Sequence, residues 1–268
     1  MWPALGTFVS VHCVANDTGS AERAVASAVS CFEATQHLMH PTSAPDLIAL
    51  RSASNGQAIR VRRWIWDVLV LAARVNDVSE GRFDPCLPDI DGCMRDVELP
   101  EPGVVVVRKP VALDFGGIAK GFAVDRAVER MVAAGCSSGT VNAGGDVRVF
   151  GPQDASLWVR TSRGARCIVV RDAACAVSDP MARDRPSEHR GYYSRVPPGE
   201  LANANAAPAV VVAPTAAIAD ALTKCVLLCR QDHALLNRTL RHFGATAIEL
   251  GDQVGAKKSP AGCAGLIP

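Results

Sequence analysis

Residues 113–125 read Leu-Asp-Phe-Gly-Gly-Ile-Ala-Lys-Gly-Phe-Ala-Val-Asp. A carboxylate, a glycine pair, a lysine and a third glycine stand where an extended segment runs into a helix. Beyond Lys120, the apolar residues Val124, Val128 and Met131–Val132 recur at helical spacing and predict a helix to about Ala134. Backbone amides at a helix N-terminus lack intrahelical partners and carry partial positive charge, which suits a phosphate. Gly116 and Gly117 permit close approach to the main chain, and Lys120 adds a full charge. A tight turn beside a solvated lysine is the other reading of these residues, since the run is neither a Walker loop nor G-x-G-x-x-G.

On the N-terminal side of this run, Phe8–Val14 alternates as a strand. Ser20 to His37 is a helix with Ser20 as its cap and Val25, Val29 and Phe32 on one face. Residues 41–56 are turn-rich around a short periodic piece, Leu47–Leu50. Trp64 to Val78 is a helix apolar nearly all round and therefore buried. Gly81 to Glu101, with its Pro and Asp residues, reads as loop, and Val104–Val107 as strand.

On the C-terminal side, strands Thr140–Val141 and Val147–Phe150 flank the turn Asn142-Ala143-Gly144-Gly145-Asp146. There Gly-Gly-Asp reads as a structural hairpin closure. Leu157–Thr161 and Cys167–Val170 form a hairpin, residues 179–208 a mobile polar segment, and Val210–Val212 a strand. Thr215 caps a helix to about Cys229, and His233–His242 is a last helix ended by Gly244. Without repeats, linkers or strict βαβ alternation, the chain predicts a single α+β domain over 1–268, mixed or antiparallel sheets with packed helices, built as one unit or two intimately packed subdomains.

Composition narrows the function classes. With 28 basic against 27 acidic residues the chain lacks the cationic excess of a general nucleic-acid binder. No stretch approaches the roughly 20 apolar residues that span a bilayer. The N-terminus, Met1-Trp2-Pro3-Ala4-Leu5-Gly6-Thr7, shows no export signal. The sequence as it stands thus predicts a cytoplasmic protein, and a periplasmic one if a signal has been removed. The ten cysteines contain no C-x-x-C pair, which points to a reducing compartment. Cys13, Cys31, Cys225 and Cys229 sit in apolar surroundings, and no nearby cluster makes a zinc site of the last two.

Further motifs flank the opening run: Leu5-Gly6-Thr7, Gly81-Arg82-Phe83-Asp84-Pro85, the turn at 142–146, and Ala213-Pro214-Thr215 leading into Ala219-Asp220-Ala221-Leu222-Thr223-Lys224. Asp220 and Thr223, three apart, lie on one helix face, where their oxygens can meet a hard cation. In this order and over Leu5 to about Leu228, the motifs resemble those of the FAD:protein FMN transferases of the ApbE type. Those carry M/L-G-T, G-x-F-D-P, D-L-G-G/A-I-A-K-G-Y-A-V-D, N-A-G-G-D and A-P-T-x-x-x-A-D-A-L.

The resemblance implies an ApbE-like fold and an enzyme that binds FAD and Mg²⁺. It moves FMN onto a Ser or Thr hydroxyl of another protein and releases AMP. By the same resemblance, Asp114 and Lys120 contact FAD, and the turn Arg82-Phe83-Asp84 holds the nucleotide. Leu5 touches the flavin region, and His40 matches a position that is aromatic or His. The Gly117 carbonyl, Asp220 and Thr223 are the magnesium ligands, with Asp220 and Lys120 catalytic. The acceptor is a flavoprotein with a motif of the form D-x-x-S/T-G-A-S/T, which this chain itself lacks.

The chain departs from that pattern at three places. Where many relatives place a Thr or Asp as a further metal ligand, this chain has Lys224. Either Thr223 alone completes the metal site, or the lysine replaces part of the cation's charge, or Lys224 and Asp220 form a solvated i,i+4 pair. The His-rich segment of relatives is loosely matched by Ala176–Pro180 and Tyr192–Pro198, with His189 reading as an exposed loop residue. The family's S-D/E-L-x-x-L-N appears as Pro45–Arg51, making Asp46 a local cap. Two other functions fit the same residues: an FAD-binding carrier without transfer, and a Mg-dependent FAD pyrophosphatase giving FMN and AMP.

Overall fold

Alternation in Asp146-Val147-Arg148-Val149-Phe150 sorts the molecule into layers. Val147 and Val149 pack into one apolar cluster, whereas Phe150 joins a second, larger one on the opposite face of the same strand. The computed structural model describes residues 1–88, 90–161, 164–180, 207–249 and 266–267. Its strands in chain order are β1 (Trp2–Ala4), β2 (Thr7–Val14), β3 (Ala58–Arg60), β4 (Val97–Glu101), β5 (Val104–Val107), β6 (Ser138–Ala143), β7 (Asp146–Phe150), β8 (Ala155–Thr161), β9 (Gly164–Val170), β10 (Ala174–Ser178), β11 (Ala209–Ala213), β12 (Thr246–Ala247) and β13 (Leu266–Ile267). The helices are α1 (Thr18–Leu38), α2 (Pro45–Arg51), α3 (Arg63–Val78), α4 (Ala119–Ala133), α5 (Ala216–Leu228) and α6 (His233–His242).

The central sheet has the order β1-β2-β6-β7-β10-β11-β12, antiparallel at every pairing. Helices α4 and α5 cover one face, with α1 packed on α4. Residues Val141, Ala143, Ala174, Ala176, Val211 and Ala213 face that layer. The hairpin β8–β9, with β13 added in parallel, forms a smaller sheet. Its Leu157, Val159, Ile168 and Val170 bury the other face of β7 and β10. A third sheet, β3-β5-β4, is antiparallel.

Several elements depart from their sequence expectations. Asp17, not Ser20, caps α1, its Oδ1 accepting the Ser20 amide at 2.9 Å. The span 81–101, expected as loop, ends in a 3₁₀ turn at Met94–Asp96 and strand β4. Pro100 is tolerated there because β4 is an edge strand whose register slips between Glu98 and Glu101, where no ladder donor is required. Leu47–Leu50 belongs to a seven-residue helix with Pro45 in its first turn.

Helix α3 buries one stripe, Ile65, Val68, Leu69, Ala72 and Val75, while Val70 stays exposed, so it is not apolar all round in effect. The strand β10, Ala-Cys-Ala-Val-Ser, carries no strand signal of its own because alanine is a poor strand former. It is a strand here because helices and the small sheet press on both faces and require small side chains. Most of the segment 179–208 lies outside the described residues. The nine cysteines among the described residues are free thiols, and no described helix is long and apolar enough to cross a membrane.

Candidate functional site

Asp114 shapes the turn that opens the site. Its Oδ1 accepts the Gly116 amide at 2.6 Å, and the Phe115 carbonyl accepts the Ile118 and Ala119 amides at 2.9 and 2.7 Å. The chain thereby folds back into α4 with Gly116 exposed and Gly117 half-buried. Four amides of the turn and first helical turn, those of Gly116, Ile118, Ala119 and Gly121, are therefore engaged from within the protein. Ala119 N–H bonds to Phe115, and Gly121 N–H donates to Asp220 Oδ2 at 3.3 Å. A carboxylate of α5 already meets the positive end of α4.

Helix α5 is held in the reciprocal way. Asp125, at the end of the opening run, accepts the Ala216 and Ala217 amides at 2.8 Å each, and Arg148 pairs with it at 3.1 Å. Thr215 Oγ1 accepts the Ile218 amide at 3.4 Å, the cap read from the sequence. The two helices cross closely because Gly121 has no side chain: a Cβ there would lie 2.2 Å from the Ala216 carbonyl oxygen. This crossing brings Lys120 Nζ to 3.4 Å from Asp220 Oδ2.

Strand β7 adds a residue that sequence reasoning assigned to the hairpin alone. Gly144 and Gly145 do close that hairpin at positive φ, with Asn142 Oδ1 accepting the Gly145 amide at 3.1 Å. Asp146, however, shares its strand face with Arg148 and Phe150 and points at the helices. It is 1% exposed, and its Oδ2 forms an ion pair with Lys120 Nζ at 2.8 Å, without hydrogen-bond alignment. The signal was the period of two in Asp-Val-Arg-Val-Phe, hidden by the frequency of Gly-Gly-Asp in turns.

Lys224 completes the cluster from inside. It is 4% exposed, and its Nζ donates to Asp220 Oδ1. Its stem runs beneath the glycine turn, with Cε 3.4 Å from the position of a Cβ on Gly117; Phe83 Cε2 is equally near. The solvated i,i+4 pair is thus ruled out by burial. Two ammonium groups and two carboxylates meet between α4, α5 and β7.

Electrostatics separates the two acids. Burial pushes the Asp146 carboxyl up to about 6, the Asp220 charge adds to this, and Lys120 and Lys224 oppose it. Burial acts on Asp220 in the same direction, but Lys120 and Lys224 outweigh it and hold that carboxyl well below the usual range. Burial also lowers Lys224, and Asp220 works against the shift.

The other expected site residues divide by what holds them. Phe83 is buried against Gly117, its amide donating to Ser79 Oγ at 3.1 Å and its carbonyl accepting from Asn76 Nδ2 at 2.7 Å. Asp84 uses both oxygens on backbone amides, Cys86 at 2.8 Å and Met94 at 3.2 Å, and so shapes its own loop. Arg82 is half-buried near Cys229, where burial raises the thiol to about 11 and the guanidinium offsets part of the rise.

Leu5 sits at φ +51° in the β1–β2 turn, its amide donating to Gln36 Oε1 at 2.9 Å. That turn abuts the 142–146 turn, since a Cβ on Gly144 would lie 2.3 Å from Thr7 Oγ1. His40 is exposed beyond α1, with Nδ1 3.3 Å from Thr42 Oγ1. His189 and Tyr192–Pro198 lie outside the described residues. Asp46 accepts the Arg62 amide at 2.9 Å and pairs with its guanidinium at 3.0 Å, which joins α2 to the start of α3 in place of a local cap.

The donors expected for magnesium do not fit a divalent cation as arranged. Thr223 is fully buried; its hydroxyl donates to the Asp220 carbonyl at 2.6 Å and lies 2.7 Å from Ser178 Oγ, facing the sheet. Both Asp220 oxygens are taken, Oδ1 by Lys224 and Oδ2 by Lys120 and the Gly121 amide. Beside Gly117 stands an ammonium, which cannot coordinate a metal and repels one. Among the described residues no group of three or more His, Cys, Asp or Glu side chains could hold a metal ion.

The fold matches solved structures of low sequence identity. The flavinyl transferase ApbE of Pseudomonas stutzeri in its apo form aligns with a TM-score of 0.74 and 16% identity, covering 92% of this chain and 88% of that one. The ApbE protein of Thermotoga maritima aligns with a TM-score of 0.71 and 19% identity, covering 90% and 89%. The flavin transferase ApbE of Vibrio cholerae aligns with a TM-score of 0.71 and 15% identity, covering 94% and 93%. No curated protein matches the sequence. The model of the ApbE family matches residues 89–245, more than half of the chain and the span that carries the glycine turn, both helices and Asp146; the protein belongs to the ApbE family.

Proposed function

We propose that this protein is an FAD:protein FMN transferase, taking FAD as substrate and placing its FMN half on a Ser or Thr hydroxyl of another protein. The observation that carries this reading is the cluster itself. Motifs far apart in sequence deliver Lys120, Lys224 and Asp220 beside the glycine turn at Gly116–Gly117, which faces solvent. Two cationic side chains beside an open main-chain turn suit a nucleotide pyrophosphate.

In the proposed reaction the acceptor oxygen attacks the FMN phosphorus and the bond from that phosphorus to the oxygen of AMP breaks. The hydroxyl proton is released, and AMP leaves as a phosphate monoester with no change of oxidation state. Phosphoryl transfer of this kind depends on positioning and on charge stabilisation, which Lys120 and Lys224 supply from a fixed and largely buried frame. Asp220 orients both. Phe83 and Gly117 shape the floor of the turn, and Asp114 holds its backbone. Leu5, Arg82, Asp84 and His40 keep the FAD-contact roles that the family pattern assigns to their positions, Asp84 acting through its loop. The Mg²⁺ of that pattern has no step in this reading, because its expected donors are otherwise engaged.

The test is incubation of the purified protein with FAD and an acceptor bearing a D-x-x-S/T-G-A-S/T motif, with and without added Mg²⁺. In-gel flavin fluorescence on the acceptor together with released AMP is the expected result. FMN and AMP without labelling would make the protein a pyrophosphatase. Bound, intact FAD would make it a carrier.

A further inference from the structure

Position 224 is one of the three places where this chain parts from the family pattern, and the side chain there lies at the centre of the site. The geometry points to a replacement: the Lys224 ammonium takes the place of the divalent cation, its charge acting on the FAD pyrophosphate from beneath the Gly117 turn beside Lys120, with no metal ion on Asp220. This inference rests on the flavin-transfer reading above.

Three observations support it. The first is position. The end of the Lys224 side chain passes 3.4 Å from where Gly117 would carry a Cβ and donates to Asp220 Oδ1. It therefore touches both the Gly117 residue and the Asp220 carboxylate, the two places from which ligands for a bridging cation were expected.

The second is the fate of the other expected ligand. Thr223 is turned from the turn toward the sheet and spends its hydroxyl on Ser178 and the Asp220 carbonyl. Its oxygen is fully buried against Ser178, so a metal would have to enter on the sheet side of α5 to reach it. Here the threonine ties α5 to β10.

The third is charge. Lys120 and Lys224 bring two positive charges against Asp146 and Asp220. A divalent ion on Asp220 would have to expel the buried ammonium from its carboxylate, leaving a charge without a partner in a place that excludes water. Each ammonium has three donor hydrogens. Lys120, whose side chain is 23% exposed, stands nearer the solvent side of the cluster than Lys224, with Asp146 and Asp220 holding it in place.

Full-length protein stripped with EDTA tests this through binding. FAD affinity is measured by fluorescence titration in EDTA and in excess Mg²⁺, and bound Mn²⁺ is measured by electron paramagnetic resonance with and without FAD. The unaltered protein is expected to bind FAD within about twofold in the two buffers and to hold no Mn²⁺ at the site. Lys224→Thr should lose about tenfold or more of its FAD affinity in EDTA, regain it with Mg²⁺, and bind one Mn²⁺ that Asp220→Ala removes. Lys224→Met, which keeps the packed stem without the charge, should show the same loss in EDTA.

A Mg²⁺ requirement for FAD binding in the unaltered protein would overturn the proposal. So would one Mn²⁺ bound in a manner that depends on Asp220, or unchanged FAD affinity in both Lys224 variants in EDTA. Should the variants not fold, the measurements on the unaltered protein decide it alone. If no FAD binds in either buffer, the flavin reading fails. The Mn²⁺ measurement on the FAD-free proteins then still judges the lysine, with Mn²⁺ on Lys224→Thr but not on the unaltered protein upholding it and any other pattern ending it.

Discussion

Asp125 and Asp220 cap each other's helices: Asp125 on α4 accepts two first-turn amides of α5, and Asp220 on α5 accepts a first-turn amide of α4. The exchange locks two helices at their N-terminal ends and sets Lys120 opposite Asp220 as a consequence. A single register error in either helix would break both caps at once. The Asp that closes the opening run is thus a framework residue of the site, and its partner carries the chemistry.

Replacing Asp125 by Ala should cost about 3 kcal/mol, since it leaves the α5 amides uncapped and Arg148 without its carboxylate. Asp125→Asn keeps an acceptor for one amide and should cost roughly half of that. Urea unfolding at neutral pH measures both. Equal losses in the two variants would show that charge, not capping, dominates.

Gly121→Ala should destabilise the protein by about 1–3 kcal/mol, because the new methyl meets backbone and not a movable side chain. The helices must part, and Lys120 moves off Asp220, so FAD affinity should fall by roughly tenfold. Thermal unfolding and FAD titration together check this. A stable variant with normal FAD affinity would mean that the crossing is not what sets the lysine.

The raised Asp146 carboxyl makes stability depend on pH with a definite sign. Its folded value of about 6 lies above the unfolded 3.8, so the native state binds the proton more tightly. The associated stability is present below about pH 4 and is lost as pH rises through 6. Relative to Asp146→Asn, the unaltered protein should lose about 3 kcal/mol between pH 4 and pH 7, because each pH unit between the unfolded and folded values is worth about 1.4 kcal/mol. Asp220 acts oppositely, contributing stability above the unfolded carboxylate range that is lost as pH falls. Urea midpoints across this range for the two proteins give the difference directly, and a flat difference would contradict the burial of Asp146.

Thr223→Val and Ser178→Ala should each cost about 1 kcal/mol, with coupling between them, because their hydroxyls are buried partners at 2.7 Å. FAD affinity should change little in the Thr223 variant. A double-mutant cycle in urea reports the coupling, and a collapse of FAD binding on losing Thr223 would point back to a ligand role.

Local sequence is a good guide where structure is local. The helix from Ala119, the Thr215 cap and strands β5, β7 and β11 follow from periodicity and capping within about ten residues. The same reasoning misses β10, whose small residues are demanded by layers on both sides, and β4, whose proline is tolerated only at an edge. Among site residues, Lys120 and Asp220 are legible as a pair of motifs, whereas Asp146 is concealed in a hairpin that it helps to close.

What the amino-acid order determined by itself is which segments turn, which coil into helices, and which side chains ride on one helix face, since these depend on neighbours a few residues apart. It could not determine where Lys224 points. An Asp and a Lys four apart on a helix have the same local geometry in water and in a core. What turns this pair into the centre of a site is the Gly117 turn laid against Lys224, with Phe83 packed beside it, and the neighbouring charge of Asp146, segments 78 to 141 residues earlier in the chain. Only the tertiary fold excludes water there, and in the absence of water the ammonium must hold to Asp220.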